Sequence, residues 1–186
     1  MLLQTIIILF VLTIILTLIL KLFVTPKYGT DVASRFLERL KYIPSQTALL
    51  SSTTLSGWLA NKANSEAIRG YVYPVLFPLD ILFLLSLGLL LGFASGALGS
   101  RLEFLSNVPA WIWWVFPFLY MASDLAEDTA IAAIFKTIIP LTDGSYNVLS
   151  ALTAIKIATA GIAIGQVGFL AALNALLFFF PAPKPF

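Results

Sequence analysis

The chain has 186 residues, of which 60% are hydrophobic and 11% are charged, with a formal net charge of +2 and a mean hydropathy of +0.97. A soluble domain is about 45–50% apolar and about one quarter charged, so this chain lacks the polar residues needed to cover a surface in water. The composition excludes an ordinary soluble protein and a disordered one, and it predicts an integral membrane protein.

The chain contains no Cys and no His. Disulfides, thiolate chemistry and the usual ligands of zinc and haem are therefore excluded. The small net charge and the lack of a dense basic run give no indication of nucleic-acid binding. No phosphate-binding or dinucleotide-binding glycine motif occurs. The sequence predicts no cofactor, no metal centre and no nucleic-acid partner.

Four apolar stretches are long enough to cross a membrane as helices, which takes about 20 residues each. These predicted spans cover residues of about 2–24, 71–94, 110–135 and 148–180. No Lys or Arg precedes the first span and no small-x-small cleavage site follows it, so we interpret it as a retained helix rather than a signal peptide. Pro74 and Pro78 fall in the first turns of the second span, and Pro117 predicts a kink in the third. We expect an all-α integral membrane protein that forms a single four-transmembrane-helix bundle.

One sizeable polar loop, residues 25–70, separates spans one and two. Residues 31–43 place apolar side chains at helical spacing among Lys and Arg, and Thr30 can cap this helix. The pattern predicts an amphipathic helix that lies in the membrane interface or packs on the bundle. Segment 44–64 has no assigned role. Because the loop holds most of the Lys and Arg, we expect it in the cytoplasm, with both termini outside, in the plasma (inner) membrane of a bacterium.

Glycines recur at every fourth position in spans two and four. They are Gly88, Gly92, Gly96, Gly161 and Gly165. Such spacing lets two helix backbones approach closely. It predicts packing inside the bundle, and the alternative is an interface with a membrane-protein partner or a second copy of the chain. At the start of span three, Trp111, Trp113 and Trp114 predict a belt of aromatic side chains at the edge of the bilayer.

Five ionisable side chains lie inside the predicted spans, where charge is costly. They are Asp80, Asp124, Glu127, Asp128 and Lys156. At about 1.5 Å of rise per residue, all five lie roughly 12–18 Å from the side of the 25–70 loop. The three carboxylates of span three share an arc of about 100°. The helix can therefore turn all three into the bundle, where Lys156 is the expected partner of Glu127 or Asp128.

Four carboxylates and one ammonium group carry a net charge of −3 when all are ionised. We expect the cluster to retain or share a proton unless a cation or Arg69 compensates. The cluster is interpreted as a structural ion-pair network, a small-ion or proton pathway, or the site of a membrane-embedded lipid-modifying enzyme. Three carboxylates could also hold a hard cation, although no ligand loop is recognisable. No motif indicates a reaction, so the leading hypothesis is a non-enzymatic structural or accessory membrane protein.

Several polar residues lie at characteristic positions relative to the predicted spans. Arg69 precedes span two, Asp80 lies early in it, Asp124 and Glu127 form Asp-x-x-Glu in span three, and Thr153 and Lys156 form Thr-x-x-Lys in span four. In these positions the chain resembles a group of uncharacterised bacterial four-span membrane proteins. Those proteins have Asn after the Glu, where this chain has Asp128. The resemblance implies the four-span architecture and this cluster, with Arg69 and Thr153 as helper residues, and it implies no activity.

Overall fold

The structure of the protein is a computed structural model that describes residues 1–29 and 52–179. Helices dominate these residues, and no strand occurs among them, as expected for an all-α protein. The predicted amphipathic helix at 31–43 and its Thr30 cap lie outside the described residues. So do the first part of segment 44–64 and the last residue of the fourth predicted span.

Six α-helices follow one another in the described part of the chain. They are α1 Leu2–Ile19, α2 Ser52–Ala60, α3 Ser65–Gly70, α4 Ile81–Gly99, α5 Val115–Phe135 and α6 Asp143–Phe179. Two wider, irregular helical segments adjoin them, Leu20–Gly29 after α1 and Tyr71–Asp80 before α4. Short 3-10 turns occupy Lys62–Asn64, Glu103–Leu105 and Ala110–Trp114.

Three helical stretches are long and apolar enough to cross a membrane: Leu2–Val24, Lys62–Gly99 and Asp143–Phe179. They contain most of the first, second and fourth predicted spans. The helix of the third predicted span, α5, has 21 residues and is therefore about 31 Å long. Three carboxylates interrupt its apolar sequence, so its composition alone does not mark it as a span.

The entry into α4 is less regular than the predicted second span. Tyr73 (φ −134°) and Phe77 (φ −122°) are extended, and each precedes a proline through a cis peptide bond. A proline disfavours the α conformation in the residue before it, so regular helix begins only at Ile81, directly after Asp80. Pro117 is the third residue of α5. A proline is tolerated there, so it starts this helix instead of kinking it in the middle.

Helix α5 packs against both α6 and α4, and α1 packs along α4. An apolar core lies at one end of this bundle. Its buried residues are Leu55, Trp58, Val72, Leu76, Ile131, Ala132, Ile134, Phe135 and Leu149. By contrast, α6 is largely exposed. Only 11% of the residues in its apolar 18-residue window are buried within the chain. An apolar outer surface of this kind is what a helix facing lipid requires.

The glycine pattern packs inside the bundle at α4 only. Gly88 faces Met121 on α5, and Gly92 faces the ring of Trp114. Gly96, Gly161 and Gly165 have open space where a Cβ would lie, so the expected internal packing is absent there within the described ranges. The tryptophans of the predicted aromatic belt differ in exposure. Trp111 is 67% exposed, whereas the half-buried ring of Trp113 packs on Gly99.

Gly92→Ala is expected to destabilise the protein by about 1–3 kcal/mol, the usual cost of overpacking. The new methyl group would lie 2.5 Å from the Trp114 ring, which also packs edge-on against Phe93. Gly161→Ala is the matched control, because its Cβ meets open space and Ala favours helix over Gly. Unfolding of the purified variants in detergent measures both changes. Equal effects at the two sites would contradict the contact.

Candidate functional site

The five ionisable residues come from three elements that meet in one place. Asp80 ends the irregular segment before α4, and Lys156 lies in the first half of α6. Asp124, Glu127 and Asp128 are spaced three and four residues apart on α5, so they project from one face of that helix. Because α4, α5 and α6 all pack against one another, this face is enclosed. Asp124 and Asp128 are each only 1% exposed.

On the α6 side, Lys156 joins two carboxylates of α5. Its Nζ forms an ion pair with Oδ1 of Asp124 and lies 3.0 Å from Oε2 of Glu127. One turn earlier on α6, the hydroxyl of Thr153 donates a hydrogen bond to Oε1 of Glu127. We call Asp124, Glu127, Thr153 and Lys156 the clamp, because each bond in it connects α5 to α6. Lys156 therefore pairs with Glu127, as expected, and with Asp124 instead of Asp128.

On the α4 side, three carboxylates converge. Asp80, Asp124 and Asp128 each offer one oxygen, and these three oxygens lie within 4.8 Å of one another. We call these residues the carboxylate triad. Oδ2 of Asp128 is buried and has no hydrogen-bond partner among the described residues. Asp124 belongs to both groups, so the clamp and the triad are adjacent parts of one cluster.

The two helper residues lie in different places. Thr153 is in the clamp, whereas Arg69 is exposed and lines a groove of about 400 Å³ with Lys62 and Lys136. None of the five cluster residues lines this groove, and Lys136 lies 5.4 Å from the centre of the Tyr73 ring. Arg69 forms no ion pair with the cluster in the described ranges, so Lys156 is the cation that balances the carboxylates there.

Tyr120 also lies at the cluster, although the sequence pattern did not indicate it. This residue is 2% exposed on α5, and its hydroxyl group lies near the carboxylate of Asp124. The signal was its spacing, because a residue four positions before Asp124 projects from the same face of the helix. A tyrosine hydroxyl can donate to a carboxylate, so Tyr120 is placed to donate to the most enclosed acid of the clamp.

Two polar residues fix the other half of α6. Gln166 donates a hydrogen bond from Nε2 to the backbone carbonyl of Trp113 at 3.1 Å. Asn174 donates from Nδ2 to the carbonyl of Leu98 at 3.1 Å. Neither residue was selected from the sequence, because a lone amide in an apolar helix has no characteristic spacing. Helix α6 is thus held by polar contacts in both of its halves.

The chemistry open to the cluster follows from its charges. Four carboxylates and one ammonium group sum to −3 when all are ionised, and Lys156 lies against only two of them in the ion pairs described. The clamp can hold two helices together, and the triad can hold a proton or a cation. No protein-family model matches the chain, and no curated protein or solved structure is significantly similar to it.

Proposed function

We propose that this protein is a four-span membrane protein of the plasma membrane with a structural or accessory, non-enzymatic role. The four spans are α1, α4, α5 and α6, with the segments that extend them. Three of these stretches have the length and hydropathy of a span. The length of α5 and the burial of its three carboxylates support the fourth, because a helix can carry ionisable groups through a bilayer when they face the protein interior.

The observation that carries the proposal is the pairing of Lys156 with Asp124 and Glu127. In hydrocarbon, neither an isolated carboxylate nor an isolated ammonium group is tolerated without a large cost. Here α5 supplies the acids and α6 supplies the base, so each helix provides what the other needs in order to remain in the membrane. The clamp thereby fixes both the partners and their axial register.

Single-cysteine labelling tests the four-span arrangement. The chain contains no Cys, so Ser106→Cys and Thr142→Cys, at exposed positions flanking α5, have no background. We expect a membrane-impermeant thiol reagent to label Ser106→Cys in intact cells and Thr142→Cys only after permeabilisation. Labelling of both variants from one side would show that α5 does not cross the membrane. The reverse pattern would keep the four spans and overturn the proposed orientation.

A second candidate function is a small-ion or proton pathway. It is favoured by the triad, which holds more negative charge than Lys156 balances. In sealed vesicles that contain the purified protein, a pH gradient should then decay faster with the unaltered chain than with Asp80→Asn. Gly161→Ala, which leaves the cluster intact, is the matched control. Equal decay in all three preparations would exclude proton passage through the triad.

A further inference from the structure

The carboxylate triad has the composition and the spacing of a cation site. Asp80, Asp124 and Asp128 each direct one oxygen to a common region, and all three oxygens lie within 4.8 Å of one another. Carboxylate oxygens are the ligands that hard divalent cations prefer. The three residues come from two separate elements, because Asp80 precedes α4 whereas the other two belong to α5. A bound ion would therefore link these two elements.

An acidic cluster alone would not indicate a ligand, but one atom in this cluster has no partner. Oδ2 of Asp128 is buried without a hydrogen bond from any residue in the described part of the chain. The whole residue is 1% exposed. A buried polar atom left unsatisfied costs about 1–3 kcal/mol, and more when it is charged. Such an atom, enclosed beside two further carboxylates, is explained by a positively charged occupant.

The separation of the oxygens leaves room for a divalent cation as large as Ca²⁺. Two ligands of one ion can be no further apart than twice the bond length. This limit is about 4.6–5.2 Å for Ca²⁺ and about 4.0–4.2 Å for Mg²⁺. The three oxygens all lie within 4.8 Å of one another, and this upper bound falls inside the limit for Ca²⁺. Asp80 and Asp128 as bidentate ligands and one oxygen of Asp124 would supply five of the six to eight oxygens that Ca²⁺ takes, and bound water can supply the rest.

We propose that the carboxylate triad binds one divalent cation of the size of Ca²⁺. The ion changes the net charge of the cluster from −3 to −1, counted on the same five residues. It leaves the clamp intact, because Lys156 approaches Asp124 and Glu127 from α6. The inference goes beyond the structural role proposed above and does not depend on transport across the membrane.

The competing occupant is a proton. One oxygen of Asp80 and one of Asp128 lie within 4.8 Å of each other, and a hydrogen bond between the two side chains requires that one carboxyl group is protonated. A proton would satisfy the pair without any metal. The two occupants differ in one measurable respect, because only a metal ion makes the stability of the protein depend on the concentration of added Ca²⁺.

The test uses the full chain, purified in detergent, stripped with a chelator and then titrated with CaCl₂. We expect the Tm of the unaltered protein to rise with Ca²⁺ concentration, as it does when a ligand binds the native state only. Asp80→Asn and Asp128→Asn should each weaken the Ca²⁺ affinity at least about tenfold, because outer-shell changes at metal sites already cost that much. Glu103→Gln, at an exposed acid outside the cluster, should leave the response unchanged.

The variant Glu127→Gln distinguishes a disrupted clamp from a disrupted Ca²⁺ site. Glu127 pairs with Lys156 and Thr153 and lies outside the triad. The variant should have a lower Tm than the unaltered protein and the same response to Ca²⁺. If Asp80→Asn and Asp128→Asn do not fold, equilibrium dialysis of the unaltered chain decides, and one bound Ca²⁺ per chain supports the site. A Tm independent of Ca²⁺, less than one bound ion, or a response that survives both Asn variants would overturn the proposal.

Discussion

Lys156→Met alone is expected to lower the free energy of unfolding by about 3–5 kcal/mol, the usual cost of removing one partner from a buried ion pair. The ammonium group lies against two carboxylates that are almost fully buried. Without it, Asp124 and Glu127 remain as uncompensated acids in an enclosed site. Methionine keeps most of the length and volume of the lysine, so the loss reports the missing charge and not a cavity.

Double-mutant cycles identify the partners of Lys156. Adding Asp124→Asn or Glu127→Gln to Lys156→Met should recover part of the loss, because each removes an acid that the lysine no longer balances. Asp128→Asn is the matched control, since Asp128 makes no ion pair with Lys156 in the described structure, and its coupling should be clearly smaller. Unfolding of purified protein in detergent measures all the cycles. Strict additivity for both Asp124 and Glu127 would contradict the clamp.

Leu125→Asp is expected to cost about 2.5–3.5 kcal/mol, the penalty for a carboxylate at the centre of a membrane-spanning helix. Leu125 is the middle residue of α5 and is 45% exposed on its outer face. It directly follows Asp124, which is buried and paired. The same chemical group is therefore compared at two adjacent positions, one inside the bundle and one on the surface that meets lipid if α5 spans the bilayer.

The cost of Leu125→Asp depends on whether the outer face of α5 meets lipid or water. If the outer face of α5 met water, the substitution would fall within about ±0.5 kcal/mol, as surface changes usually do. Asn107→Asp, at an exposed position in the loop before α5, is the control and should stay within that range. The comparison is made on the unfolding free energy and on the fraction of protein that is recovered in the membrane. A neutral Leu125→Asp would argue against a fourth span.

The sequence predicts the charged face of α5 well because that face is a local property. A spacing of three and four residues places Asp124, Glu127 and Asp128 together in any α-helix. The choice of Asp124 over Asp128 as a partner of Lys156 is not local. It depends on how far α6 is shifted along α5, and this shift is set by packing over the whole interface.

The packing of the glycine and tryptophan motifs also depends on the relative position of the helices. The spacing of Gly161 and Gly165 indicates that a helix could approach closely, but it does not say that one does, and their Cβ positions meet open space. Trp113 and Trp114 are residues of the type found in interfacial aromatic belts, and both rings pack on glycines of α4. The glycine and tryptophan motifs complement each other, and only the relative position of the two helices brings them together.

Helix α6 is attached to its neighbours by side-chain contacts in two places. Lys156 and Thr153 attach it at one point, and the bonds from Gln166 and Asn174 to main-chain carbonyls attach it at the other. Lys156 and Asn174 are 18 residues apart, or about 27 Å along the axis. Because a continuous helix transmits displacement along its length, a shift of α6 at the cluster also strains the carbonyl contacts at the far end. A rearrangement of the buried charged cluster is thereby linked to the contacts at the far end of α6.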